Sequence, residues 1–267
     1  MTFSTRSSAA LAVAALLAAP AIAAPVNGTG DVSSDVFFGG GNANGDFTGA
    51  VIGDVEVAIR GKVRYDASGS PAAIYGYDGD RTYDLSGVTF NAPSNRSGFS
   101  FDFIVNTDRS ESDNEPVNVI GDYEYELRID YDPGIGTNFF TLDPFIALCT
   151  DASFGYNDTT QSTDAVVDCG SSTAIGDYAT VLAVANVAQQ SWNLGFFPST
   201  EPGNSGPYAP GIYTIELDVF STDGQTRSLL GGTSIDIVTS SAEVPAPAAF
   251  GLLGLGLAAV GLRRRRR

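Results

Sequence analysis

The chain of 267 residues contains no histidine, one lysine, one methionine, one tryptophan and two cysteines. Without histidine there is no Ser-His-Asp or Cys-His nucleophile pair, and no histidine-based metal centre. Two thiolates alone supply half of a zinc site, so Cys149 and Cys169 do not read as metal ligands. Positive charge is scarce as well. All 31 Asp and Glu lie between Asp31 and Glu243, a region with only 8 of the 14 basic residues, which gives it a net charge of about -23. A field of that sign repels phosphate backbones and excludes nucleic acid as a partner. The acidity itself reads as solubility outside the cell or as a capacity for divalent cations.

Glycine (31), Phe (16) and Tyr (11) are plentiful, the composition of twisted sheets and tight turns more than of long helices. Period-2 alternation supports strands. Tyr123, Tyr125, Leu127, Ile129 and Tyr131 alternate with charged residues from Asp122 to Asp132, where a helix would scatter the aromatics around its circumference. Val51 to Tyr65 reads as one strand with Val51, Val55, Val57, Ile59 and Val63 on an oily face and Asp54, Glu56, Arg60, Lys62 and Arg64 on a charged one. Phe99 to Val105, Tyr213 to Val219 and Ile235 with Ile237 repeat the pattern, and Ser221-Thr222-Asp223-Gly224 reads as the hairpin turn between the last two strands. Tyr178 to Gln190 carries apolar residues at helical spacing and is expected to form a short helix, after which Trp192, Leu194 and Phe196 resume the alternation. The expected fold is an all-β antiparallel sandwich, Ig-like or jelly-roll-like.

Both ends read as targeting segments. Arg6, the apolar run Ala9 to Ala19 and the small residues of Ala21-Ile22-Ala23 predict a signal peptide over residues 1–23, cut by signal peptidase after Ala23, because a cut after Ala24 would place Pro25 against the protease. The exported domain is then 24–243. Export makes a Cys149–Cys169 disulfide the expected use of the two cysteines.

The remaining residues, 244–267, begin with Val244, Pro245, Ala246 and Pro247, whose prolines hold the backbone extended. An apolar run at 248–262 follows, as the C-terminal transmembrane helix. Fifteen helical residues cover only about 22 Å, short of a hydrocarbon core of roughly 30 Å, which suits a transient inner-membrane handle. Arg263, Arg264, Arg265, Arg266 and Arg267 then act as a stop-transfer cluster that stays cytoplasmic.

Proline motif, short apolar helix and terminal arginines in this order resemble the PEP-CTERM sorting signals of Gram-negative bacteria. The resemblance implies recognition by exosortase, a membrane-embedded transpeptidase, with cutting near Val244 to Pro247 and transfer to the cell surface or an extracellular polymer. Ala246 stands where the named motif has glutamate, and Glu243 precedes the valine. The body is also similar to a recurrent group of exported proteins with the same tail, through Tyr123 to Pro144, Asn186 to Phe197 and Pro210 to Gly224.

Nothing in the pattern marks a catalytic pair: the carboxylates fall on polar strand faces or in turns, where they are expected to be solvated. The expected role is non-enzymatic, structural or adhesive, in exopolysaccharide or biofilm; a polysaccharide-binding or polysaccharide-cleaving module is the alternative. No cofactor is implied. Oxygen-rich loops offer Asp78, Asp80, Asp108 and Asp113 as weak calcium candidates, but lack EF-hand spacing, and turn chemistry accounts for the same residues. Tyr75, Tyr77, Tyr123 and Tyr125 read as sandwich core or as a sugar-stacking face.

Overall fold

The structure is a computed structural model; it describes residues 30–38, 42–72, 75–93, 96–130, 136–145, 152–160, 167–168, 178–196, 210–222 and 226–239. The signal-peptide segment, both cysteines and the whole of 244–267 lie outside the described residues. No helix among the described residues is long and apolar enough to cross a membrane.

Among the described residues, eleven strands form two sheets. The six-stranded sheet has the order β1 (Thr48–Ile52), β2 (Val55–Val63), β4 (Phe99–Asn106), β9 (Val187–Asn193), β7 (Ser153–Gly155), β8 (Val167–Asp168). The five-stranded sheet has the order β3 (Thr82–Asp84), β11 (Arg227–Val238), β10 (Ile212–Thr222), β5 (Tyr123–Asp130), β6 (Phe139–Leu142). Every pairing is antiparallel except β3 with β11. The inward rows of the two sheets share one core. Val57, Ile59, Phe101 and Phe103 come from the first sheet and Leu127, Ile129, Ile215 and Ile237 from the second. Trp192 stands edge-on to Phe103 at 5.1 Å, and Phe99 meets Tyr213 across the layers at 5.0 Å. Thus two stacked sheets bury the alternating aromatics, as period-2 spacing requires.

The rows in β5, β10 and β11 fall as their alternation predicts, and β10 pairs with β11 as a hairpin closing at Thr222 and Arg227. Two expectations are corrected. Val51 to Tyr65 is a hairpin, not one strand: Gly53, at φ 64, and Asp54 make a two-residue loop between Ile52 and Val55, a geometry that glycine at the first loop position favours. Ala50, opposite Val57, is therefore the inward residue of β1, whereas Val51 pairs with Glu56 on the other face. The expected helix over 178–190 stops early. Helix α1 is Tyr178–Leu182, β9 starts at Val187, and Leu194–Phe196 is a 3-10 turn, so alternation does not continue to Phe196.

A third correction concerns solvent. β2 and β4 are buried along their whole lengths on both faces. Residues 30–38 and 42–47 lie across the outer face of the six-stranded sheet as a strap, and Val32, Phe38 and Phe47 pack on Ala58 and Ile104. Phe37 N donates to Gln189 Oε1 (2.9 Å), Gln189 Nε2 donates to the Asp35 carbonyl (2.6 Å), and Ser33 N donates to Glu56 Oε2 (2.9 Å). Glu56, Arg60 and Lys62, read from sequence as part of a charged face, are buried under this strap together with Asp102.

Candidate functional site

Beneath the strap, β2 and β4 place Arg60 directly opposite Asp102, and Lys62 lies two residues further along β2. Arg60 Nε donates to Asp102 Oδ2 at 2.8 Å, and Lys62 Nζ stands 2.7 Å from Asp102 Oδ1. The guanidinium also donates through Nη1 to the carbonyls of Ala43 (2.7 Å) and Gly45 (2.8 Å), and lies 4.2 Å from the Phe47 ring centroid and 4.5 Å from that of Tyr75. Lys62 reaches Asn42 Oδ1 at 2.8 Å. Both cations thus clasp backbone or side chain of the strap while neutralised from the sheet. Burial lowers the proton affinity of Lys62; the Asp102 carboxylate opposes that shift, and Arg60 and Arg64 add to it. With both its oxygens against cations and no exposed surface, Asp102 is placed to hold the strap rather than to meet a solute.

A second polar constellation occupies the end of the sandwich where β1 turns into β2. The Ser110 hydroxyl lies 2.7 Å from Asp54 Oδ2 and 3.1 Å from Asp108 Oδ1, and can donate to one of them at a time. Asp108 Oδ2 accepts from Val117 N at 2.8 Å. Burial pushes the Asp108 carboxyl up, but the Val117 and Asn118 N–H groups, Asp54 and Ser110 outweigh it and hold the group below the usual carboxylate range. Three asparagines fix this loop. Asn106 Oδ1 accepts from Asp108 N (3.1 Å), and Asn157 Nδ2 and Asn186 Nδ2 donate to the Asp108 carbonyl (2.8 and 2.9 Å). Asp54 and the three asparagines were not among the candidates from sequence, because they come from separate strands and loops and share no local spacing.

The remaining candidates are spread apart. Asp78 Oδ1 accepts from Asp80 N (2.8 Å) and Thr82 N (3.0 Å), which shapes the turn into β3. Slight burial raises Asp78 and those N–H groups, with the Thr82 side chain, lower it further, so its carboxyl sits below its ordinary value. The Asp80 carbonyl accepts from Thr48 Oγ1 (2.6 Å), and Asp113 Oδ1 accepts from Glu115 N (3.2 Å). Among the described residues, no group of three or more acidic or cysteine side chains is placed to hold a metal ion. Tyr125 is core, edge-on to Phe145 at 4.8 Å, with its hydroxyl donating to the Ile120 carbonyl (3.0 Å); burial pushes its pKa well up. Tyr77 stacks on Tyr83 at 5.1 Å, Tyr75 lies against Arg60, and Tyr123 packs half-buried on the core. The four tyrosines do not form one exposed row.

The sorting residues Val244, Pro245, Ala246, Pro247 and Arg263 to Arg267 lie outside the described residues, as do Cys149 and Cys169. The root of the tail is described. Thr239 N donates to the Gly211 carbonyl at 2.9 Å and Gly211 N donates to Thr239 Oγ1 at 3.1 Å, so the chain is pinned to the start of β10 until residue 239.

A family model described as the PEP-CTERM protein-sorting motif matches residues 243–266. That motif indicates a protein sorted by exosortase, exported and anchored in a membrane before release to the surface. Neither a curated protein nor a solved structure matches the chain.

Proposed function

We propose that this chain is a non-enzymatic surface protein, carried across the inner membrane by a signal peptide over 1–23 and handed by exosortase to the cell surface or to an extracellular polysaccharide matrix, where the domain 24–243 has a structural or adhesive role. The observation that carries the reading is the sorting motif at 243–266, at the end of an acidic all-β body. Three features of the body support a display role. The buried charge cluster of Arg60, Lys62 and Asp102 is spent on closing the protein's own strap. The close carboxylates Asp54 and Asp108 share a serine hydroxyl in a loop held by asparagines. The strongly negative surface favours solubility outside the cell.

Mass spectrometry of the protein from its native host tests the processing. A mature form that begins at Ala24 and ends near Val244 to Pro247 is expected. A chain still ending at Arg267 in cells with active exosortase would remove the reading. Deletion of residues 244–267 is expected to release the body to the medium, and retention of the truncated protein at the surface would show that the tail does not hold it.

A further inference from the structure

The described body has two unlike ends. At one, Val63, Phe99 and Val238 finish or begin their strands, and Thr239 leaves the fold. Arg64 lies with its guanidinium carbon 5.6 Å from the Tyr65 ring centroid, and Arg96 4.7 Å from that of Phe196, a ring 55% exposed. Asp66 and Asp84 stand at this rim too, each drawn into its own turn by serine, Ser68 and Ser70 for Asp66 and Ser86 for Asp84, while Asp130, at the end of β5, is buried and accepts from Asn138 N. At the other end, the loops bearing Asp54, Asp108, Glu111, Asp113, Glu115 and Asp158 lie together. The cations there among the described residues are Arg109, 4.0 Å from Glu56, and Arg227, which pairs with Glu124 and Glu126.

Chain length decides which end stays near the membrane. From Thr239 to Val244 there are five Cα steps, at most about 18 Å when fully extended. β10, with eleven residues, is itself about 36 Å long at roughly 3.3 Å per residue. Under the sorting reading, Val244 to Pro247 lie at the bilayer surface, because the apolar run begins at Ala248. The tether is therefore shorter than the body. An anionic leaflet attracts arginine, accommodates a half-exposed aromatic ring at headgroup depth and repels the carboxylate-rich end.

We propose that the end of the sandwich bearing Arg64, Arg96 and Phe196 is a docking face for an anionic phospholipid surface, on which the unprocessed protein stands with the Asp54 and Asp108 loops pointing away. The proposal rests on the reading of the chain as an exosortase substrate. It adds an orientation, with the sorting motif held beside the rim and the acidic loops turned to the outside.

The test uses the full uncut chain in nanodiscs of phosphatidylcholine with phosphatidylglycerol, some of the lipid carrying a quencher on its headgroup. A fluorophore is attached through a keto-bearing residue introduced at Gly87, where an added Cβ meets nothing within 4 Å, or at Ser112 in the acidic loops. The label at Gly87 is expected to be quenched severalfold more than the label at Ser112. In the double variant Arg64→Glu and Arg96→Glu, whose melting temperature should match the parent, that difference is expected to fall away while the protein stays on the discs. Equal quenching at both positions, a difference unchanged in the double variant, or quenching at Gly87 that appears only after exosortase is added to the disc each overturns the docking face and leaves the sorting reading intact. Failure of the full chain to co-purify with discs overturns both.

Discussion

Nε of Arg60 stands 2.8 Å from Oδ2 of Asp102, and neither side chain reaches solvent. The pair lies on the face that alternation assigns to water, and it is buried because residues 30–38 and 42–47 cover it. A buried ion pair of this kind adds little over an apolar replacement, but loss of one partner strands the other charge.

Asp102→Ala should therefore destabilise the fold by about 3–5 kcal/mol, because Arg60 and Lys62 keep their charge without a counterion under the strap. The triple variant Arg60→Met, Lys62→Met, Asp102→Leu should lose less than the single one. Urea unfolding of both variants measures this, and a single variant as stable as the parent would show that the cluster does not hold the strap.

Acid should unfold the protein in part through Asp108. Its folded carboxyl binds a proton less tightly than the unfolded one, so its contribution is present above the ordinary carboxylate range and is lost as pH falls through the lower folded value. Asp218 acts in the opposite direction. Burial raises it despite Arg128 nearby, so its contribution is present at low pH and is lost as pH rises through the raised folded value. Asp108→Asn should flatten the acid limb of a stability profile, and an unchanged limb would assign acid unfolding to other groups.

Gly61→Ala should cost about 1–3 kcal/mol, because a Cβ there would sit 2.7 Å from Ile237 Cγ1 and 3.1 Å from Tyr83 Cβ, side chains of the facing sheet. Ile237→Ala in the same chain should relieve part of the crowding, so the double variant loses less than the two single losses added. Strict additivity in thermal melts would mean that the layers separate to make room.

The mature protein, prepared without reductant, should resist thiol alkylation and weigh two hydrogens less than its sequence mass, as a Cys149–Cys169 bridge requires. Reduction should lower stability by about 3 kcal/mol, the loop-closure contribution for a ring of this size. Ready alkylation of both thiols in the exported protein would rule the bridge out.

Legibility of this fold from sequence followed the range of the interactions. The inward rows Tyr125, Leu127, Ile129 and Ile215, Leu217, Val219 were legible because a strand half-buried by a single core repeats every two residues. The β1–β2 hairpin was hidden because Val51 keeps the odd-numbered parity of Val55 and Val57, although the turn at Gly53 moves Val51 to the opposite face. Arg60, Lys62 and Asp102 looked solvated because their cover is a segment without period, joined to the sheet across separations such as the 152 residues from Phe37 to Gln189. Helix α1 was legible in Val181 and Leu182, but its end was not, since tertiary pairing of Val187 with Asn106 sets the start of β9. The tail was readable because a membrane handle is recognised by order and composition within 24 contiguous residues.

The strap also sets a timetable for biogenesis. Residues 30–38 leave the ribosome or a translocation channel among the first, yet Gln189, which caps Phe37, emerges some 150 residues later. Until then the strap lacks its anchor on β9, although its contacts to Glu56, Arg60 and Lys62 on β2 span only 15 to 23 residues. Closure onto β9 is thus a late, long-range event, and a nascent chain halted before residue 189 would be held half-finished with its earliest segment only partly seated.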